Sequence, residues 1–127
     1  MKLLIVDDNP DVLETLANYF HGRGHTVKTV DDGLECLSAA QDFKPNMILL
    51  DIKMKRIDGD KIIIDLFTLL PGVKILVITG NQDQALRNKI LRMGIHAYFE
   101  KPVSLLVVHQ KIKEMEGTCE ILGDSRR

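Results

Sequence analysis

Five short apolar runs recur along the chain, and each leads into a stretch with helical spacing. The runs occupy residues 3–6, 26–30, 47–50, 73–78 and 97–100. Residues 26–30 are β-branched and alternate, as a half-buried strand requires. Residues 47–50, Met-Ile-Leu-Leu, are apolar without alternation, the pattern of a strand covered on both faces. Between the runs, Leu13, Leu16, Ala17 and Phe20 recur at helical spacing behind Asn9-Pro10, an N-cap followed by proline in the first turn. A second helix starts at Asp31-Asp32-Gly33 with Leu34, Leu37 and Ala40 on one side. A third starts after Asp58, with Ile63, Leu66, Phe67 and Leu70 as its inward stripe, and Pro71-Gly72 breaks it. A fourth covers residues 84–93 with Leu86, Ile90 and Met93, and Gly94 stops it. Ser104 caps a fifth, in which Leu105, Val108, Ile112 and Met115 face inward. Strand and helix therefore alternate, which predicts an α/β domain: a doubly wound, five-stranded parallel sheet with helices on both faces and right-handed crossovers.

Composition changes little in this picture. The chain has 127 residues, enough for one domain, with 45% hydrophobic and 28% charged residues and a formal net charge of -1. A near-neutral balance gives no electrostatic case for binding nucleic acid. The apolar runs are too short to span a membrane, and Asp7-Asp8 interrupts the first of them too early for a secretory signal. Cys36 and Cys119 fit no metal or redox spacing, so a reducing cytoplasmic setting is expected, with Cys36 packed among apolar helix residues. His21, His25, His96 and His109 are scattered, and Gly22 and Gly24 break any helix that would align the first two. Gly22-Arg23-Gly24 joins a helix to a strand and is no phosphate loop. The folded unit is placed at 1–117. The tail 118–127 has no clear period and reads as a linker stub, a locally docked peptide or a disordered end.

The candidate chemistry lies where the strands end. In a parallel sheet all carboxyl ends share one edge, where open α/β sheets bind ligands. Strand one delivers Asp7 and Asp8 there, strand three Asp51, strand four Thr79 and strand five Lys101. Taken singly, each has a plainer reading: Asp7 and Asp8 as helix caps, Asp51 and Thr79 as turn residues, Lys101 as a solvated lysine, Tyr98 as a sheet filler. Taken together they converge. Three carboxylates repel one another, and a hard divalent cation such as Mg²⁺ (or Mn²⁺) relieves that repulsion while leaving room for a phosphoryl group. Lys101 and Thr79 remain to engage phosphoryl oxygens, and phosphoryl transfer needs mainly positioning and charge neutralisation. Transfer to Asp51 would give an acyl phosphate.

These residues, in this order, resemble a response-regulator receiver domain, the CheY-like phosphoacceptor module of two-component signalling. The resemblance covers residues 2–116 and rests on Asp7-Asp8, Asp51, Asp58-Gly59, Thr79-Gly80 and Lys101-Pro102. It implies a flavodoxin-like (βα)5 sheet of order 2-1-3-4-5, with Asp51 as phosphoacceptor. It further implies a metal held by Asp7, Asp8, Asp51 and the backbone carbonyl of Lys53, Thr79 as a switch hydroxyl, Lys101 as the phosphoryl-pairing lysine and Tyr98 as an aromatic switch. The Lys101-Pro102 bond is usually cis in the family. The implied donor is a phosphohistidine on a sensor histidine kinase or a phosphotransfer protein. The implied output surface is the helix 4–strand 5–helix 5 face, often used for dimerising; the chain reads either as a single-domain regulator or as a receiver cut from a longer protein that carries an output domain. Lys55 stands where the family often has proline, and Val103 where it often has phenylalanine. Lys53 and Asn81 occupy positions that tune the lifetime of the acyl phosphate, and Lys53 is expected to slow or redirect the attacking water. Leu106 and Val107, beside Lys111, Lys113 and Glu114, exceed what an inward stripe needs; they suit a partner surface, or else packing against Ile121 and Leu122.

Three rivals fit less well. A haloacid-dehalogenase-type phosphatase would need Asp-x-Asp after strand one, but Asp7 and Asp8 are adjacent and Asp51 would have no role. A flavodoxin-like cofactor binder would need a Ser/Thr/Gly-rich phosphate loop where this chain has Asp7-Asp8-Asn9-Pro10. A receiver-like module that works without phosphorylation would not need the full acceptor set.

Overall fold

The computed structural model describes residues 1–53 and 59–124, with residues 117–124 described by their backbone alone. Strands and helices alternate in the order β1 (Lys2–Val6), α1 (Pro10–His21), β2 (Thr26–Val30), α2 (Gly33–Phe43), β3 (Met47–Leu50), α3 (Gly59–Leu69), β4 (Lys74–Thr79), α4 (Gln84–Leu91), β5 (Ala97–Glu100) and α5 (Leu105–Asp124). The strands form one parallel sheet of order β2-β1-β3-β4-β5. Fold class and strand order are those expected.

The unalternating strands are explained by two apolar layers. On one side of the sheet Leu4, Val6, Ile48, Leu50, Ile75 and Val77 pack with Cys36, Ala39 and Ala40 of α2, Ile62, Ile63 and Leu66 of α3, and Ile90 of α4. On the other, Leu3, Ile5, Met47, Leu49, Leu76 and Ile78 pack with Leu13, Leu16 and Phe20 of α1 and Val108 and Ile112 of α5. Odd and even positions of each central strand thus serve opposite layers. Each buried leucine or isoleucine contributes about 1.5–3 kcal/mol against an exposed one.

The helix starts follow the expected chemistry. Asn9 Oδ1 accepts from the Asp11 and Val12 N–H groups with Pro10 in the first turn, Asp32 Oδ1 accepts from Leu34 N–H, and Ser104 Oγ accepts from Leu106 N–H. Asp58, expected to cap α3, and Lys55 lie outside the described residues. On α2 the small residues Gly33, Cys36, Ala39 and Ala40 are buried and Leu34 is exposed. Leu106 and Val107 are exposed, in keeping with the first of their two readings, a partner surface. Two expected helix ends need correction. The α4 helix ends at Leu91, two residues short of Met93, with Arg92 as its C-cap. Residues 118–124, read as a tail without period, continue the helical backbone of α5.

Cys36 is fully buried, and burial pushes its thiol pKa up to about 12, so it is an inert core residue as expected.

His25 is the buried histidine. It sits in an aromatic cluster at the α1–α5 junction, its ring edge-on to Phe20 and to His109, with Nδ1 3.4 Å from the Met1 ammonium. Burial, then the neighbouring ammonium, lowers its pKa, with Glu116 opposing and His109 adding to the fall. A folded pKa below the unfolded one means that the unfolded chain binds the extra proton. The stability His25 contributes is therefore complete above the unfolded value of 6.5 and is lost as pH falls through the folded value. Thermal unfolding between about pH 7.5 and about pH 5 should show Tm falling with pH, and His25→Phe should flatten the slope.

Candidate functional site

The ladder hydrogen bonds run one residue past the strands, and this places the site. Asp7 N–H donates to Val30 O (3.1 Å), Asp51 N–H to Val6 O (2.9 Å) and Lys101 N–H to Thr79 O (2.8 Å). Val6 pairs with Leu50, and Leu50 with Val77, so Asp7 and Asp51 emerge level with each other at the carboxyl edge. Thr79 is the last residue of β4, opposite Glu100.

The side chains then converge. Ligand oxygens of Asp7, Asp8 and Asp51 lie within 4.8 Å of one another; Asp7 and Asp51 are buried and Asp8 is exposed. Lys101, which precedes a cis proline, donates from Nζ to Asp7 Oδ2 at 2.8 Å and to Asp51 Oδ2 at 3.2 Å. The other oxygens are fixed by backbone: Asp7 Oδ1 accepts from Asn9 N–H at 2.9 Å and Asp51 Oδ1 from Lys53 N–H at 2.8 Å. Thr79 is fully buried, and its Oγ1 accepts from Asn81 N–H at 3.1 Å. The structure therefore brings together Asp7, Asp8, Asp51 and Lys101 and sets Thr79 beside Lys101 along the strand edge. Lys53 is exposed on the loop after Asp51. Tyr98 is half-buried on β5, outside this hydrogen-bonded group.

The electrostatics are unbalanced. Three carboxylates face one ammonium. Burial raises the Asp51 pKa; the Lys53 N–H and Lys101 oppose the rise, and the Asp7 charge adds to it. Burial draws the Lys101 ammonium down, but its hydrogen bond to Asp7 and the Asp51 and Asp7 charges outweigh this, so its pKa is raised and it stays charged. The residual negative charge and the hard oxygen donors fit a small dication such as Mg²⁺.

Gly59 was part of the sequence pattern, and the structure shows why only glycine suits it. A Cβ there would lie 2.5 Å from Ile52 Cβ and 3.0 Å from Ile52 O, and Ile52 directly follows Asp51. Gly59→Ala should cost roughly 1–3 kcal/mol by overpacking, read as a lowered Tm. Sequence reasoning missed the partners of Lys101, the Asn9 and Lys53 N–H groups and the cross-element pairs around α4. Arg87 of α4 meets Glu100 at 3.7 Å, and Lys89 of α4 pairs with Asp60 of α3. Such pairings depend on how helices lie, which periodicity does not encode.

With this geometry in place, comparison with known proteins gives the class. The response regulator receiver domain family matches residues 3–113, and the chain belongs to that family. It is thus a signalling domain of the two-component type. It is 29% identical to the alkaline phosphatase synthesis transcriptional regulatory protein PhoP of Bacillus subtilis over 124 residues, which is 98% of this chain and 52% of PhoP. It is 31% identical to the response regulator MprA of Mycobacterium avium over 105 residues, 83% of this chain and 46% of MprA. The chain spans about half the length of these curated relatives. Among solved structures, a CheY-like receiver domain protein from Methanospirillum hungatei JF-1 superposes with a TM-score of 0.88 at 28% identity, covering 94% of this chain and 95% of that one. A response regulator from Burkholderia pseudomallei, described with a phosphorylated aspartic acid, calcium ion and citrate, matches with a TM-score of 0.81 at 27% identity, covering 97% of this chain and 74% of that one. No helix among the described residues is long and apolar enough to cross a membrane.

Proposed function

We propose that this receiver domain accepts a phosphoryl group on Asp51 from a phosphohistidine donor and passes the change to its α4–β5–α5 face. The observation that carries the reading is the convergence of the Asp7, Asp8 and Asp51 carboxylates within 4.8 Å, with Lys101 bridging two of them. Asp7, Asp8, Asp51 and the Lys53 carbonyl would hold Mg²⁺ or Mn²⁺. When bound, that ion would neutralise charge on the phosphoryl oxygens. A carboxylate oxygen of Asp51 forms the new bond to phosphorus. The bond between phosphorus and the donor imidazole nitrogen breaks, and the nitrogen keeps the electron pair. Backbone hydrogen bonds hold Asp51 and Asp7 in place, so little reorganisation accompanies the transfer. Lys101, already within reach of Asp51 Oδ2, can take a phosphoryl oxygen.

Thr79 would turn its hydroxyl toward another phosphoryl oxygen, giving up the hydrogen bond from Asn81 N–H. Tyr98 would then occupy the space released, and the population of the α4–β5–α5 face would shift. The donor is a sensor histidine kinase or a phosphotransfer protein, which places the domain in the cytoplasm. Output would come through dimerisation on that face or through a further domain, in keeping with the greater length of PhoP and MprA. The domain is a signalling acceptor that assists its own phosphorylation and dephosphorylation and turns over no separate substrate. Lys53, exposed beside Asp51, slows or redirects the hydrolytic water.

Incubation with phosphoramidate, a small donor with a P–N bond, tests the reading. Intact mass should show one added phosphoryl group that requires Mg²⁺ and is lost on chelation before mixing. Equal labelling with and without the ion would overturn the metal assignment, and no labelling would favour a receiver that signals by binding alone.

A further inference from the structure

Among the described residues, Tyr98 Oη is a buried side-chain polar atom that makes no hydrogen bond. An unpaired buried hydroxyl is unfavourable, and turning outward would give it water as a partner. Something must therefore hold the ring in. Its inner side packs against the apolar layer beneath α4. Over its outer side lies Arg87, with the guanidinium carbon 5.4 Å from the ring centroid. Arg87 Nε is in turn 3.7 Å from Glu100 Oε1. Glu100 stands two residues after Tyr98, so both side chains project from the same face of β5.

We propose that Arg87 is a positioning residue: anchored through Glu100, it covers the Tyr98 ring and sets the ratio of inward to outward tyrosine. The consequence for signalling rests on reading Tyr98 as the residue that answers to Asp51; the covering itself does not. Arg87 and Glu100 are 36% and 45% exposed in their side chains, so the effect is modest and weakened by salt. A cation over an aromatic ring at such a site shifts an equilibrium about two- to fivefold. The plainer alternative is that Arg87 only pins α4 to the sheet. Lys89 provides the control, because it ties the same helix to Asp60 of α3 by an ion pair.

The chain has two tyrosines and no tryptophan, so in a Tyr19→Phe background Tyr98 is the sole fluorophore. Acrylamide quenching of its fluorescence then reports the outward population directly. In that background Arg87→Ala and Glu100→Gln should raise the quenching slope about two- to fivefold. Arg87→Lys, which keeps the cation but not the fork, should fall between, and Lys89→Ala should match the parent. Far-UV circular dichroism establishes that each variant is folded. An unchanged slope in Arg87→Ala, or an equal rise in Lys89→Ala, would overturn the proposal. The same variants are then incubated with phosphoramidate and Mg²⁺. A parallel change in labelling rate would tie the cover to Asp51. Raised quenching with unchanged labelling would leave Arg87 as a positioning residue and overturn the switch role of Tyr98. Failure of the parent to label would count against the phosphoacceptor reading alone, because quenching needs no phosphoryl group.

Discussion

Asp51→Asn should abolish phosphorylation outright, leaving no hydroxylamine-labile adduct after exposure to a small phosphodonor and Mg²⁺. The amide has no anionic oxygen to form the acyl phosphate. Asp7 and Asp8 are the nearest other carboxylates, with oxygens within 4.8 Å of those of Asp51, and in this reading both serve the metal ion. The variant should fold, since asparagine keeps the shape and can still accept from Lys53 N–H. It also removes a buried charge whose pKa is raised by burial, so loss of labelling will not reflect loss of structure. Labelling that persists in a folded Asp51→Asn protein would contradict the assignment.

Lys101→Ala should slow phosphorylation by about 10²–10³-fold, the usual loss when one preorganised charge-stabilising group is removed. The reason is visible in the resting site. Lys101 is the cation shared by Asp7 and Asp51, reaching both from β5 with its backbone fixed to Thr79. Without it the buried carboxylates face each other uncompensated, so the variant should also be less stable, and Mg²⁺ should restore more stability to it than to the parent. Initial labelling rates and Tm with and without Mg²⁺ measure both effects. An unchanged rate would show that Lys101 serves only to neutralise the acidic pair at rest.

Much of this could be read from the chain because the candidate residues sit at the ends of apolar runs. Met47–Leu50 is buried on both faces, so its last rung had to fall at the sheet edge, and Asp51 follows it. The same logic placed Asp7, Thr79 and Lys101. The Asn9-Pro10 cap was legible because capping is a local interaction. Which stripe of α2 faces the sheet was not legible, because spacing alone cannot tell adjacent stripes apart; the structure buries the small residues Ala39 and Ala40 and exposes Leu34. The helical backbone beyond residue 117 left no periodic signal, since continuing a helix needs no buried face at every turn. The cover of Tyr98 by Arg87 was invisible for another reason. It joins two elements whose relative placement is set by the core, not by either segment.

The central claim is that Asp51 is the phosphoryl acceptor. It is tested most directly by labelling the protein with phosphoramidate and Mg²⁺, trapping the adduct with borohydride and mapping the reduced residue by peptide mass spectrometry. Reduction confined to Asp51 is the predicted result. Reduction at Asp7 or Asp8, or a phosphoryl group found on a histidine, serine or threonine, would contradict it.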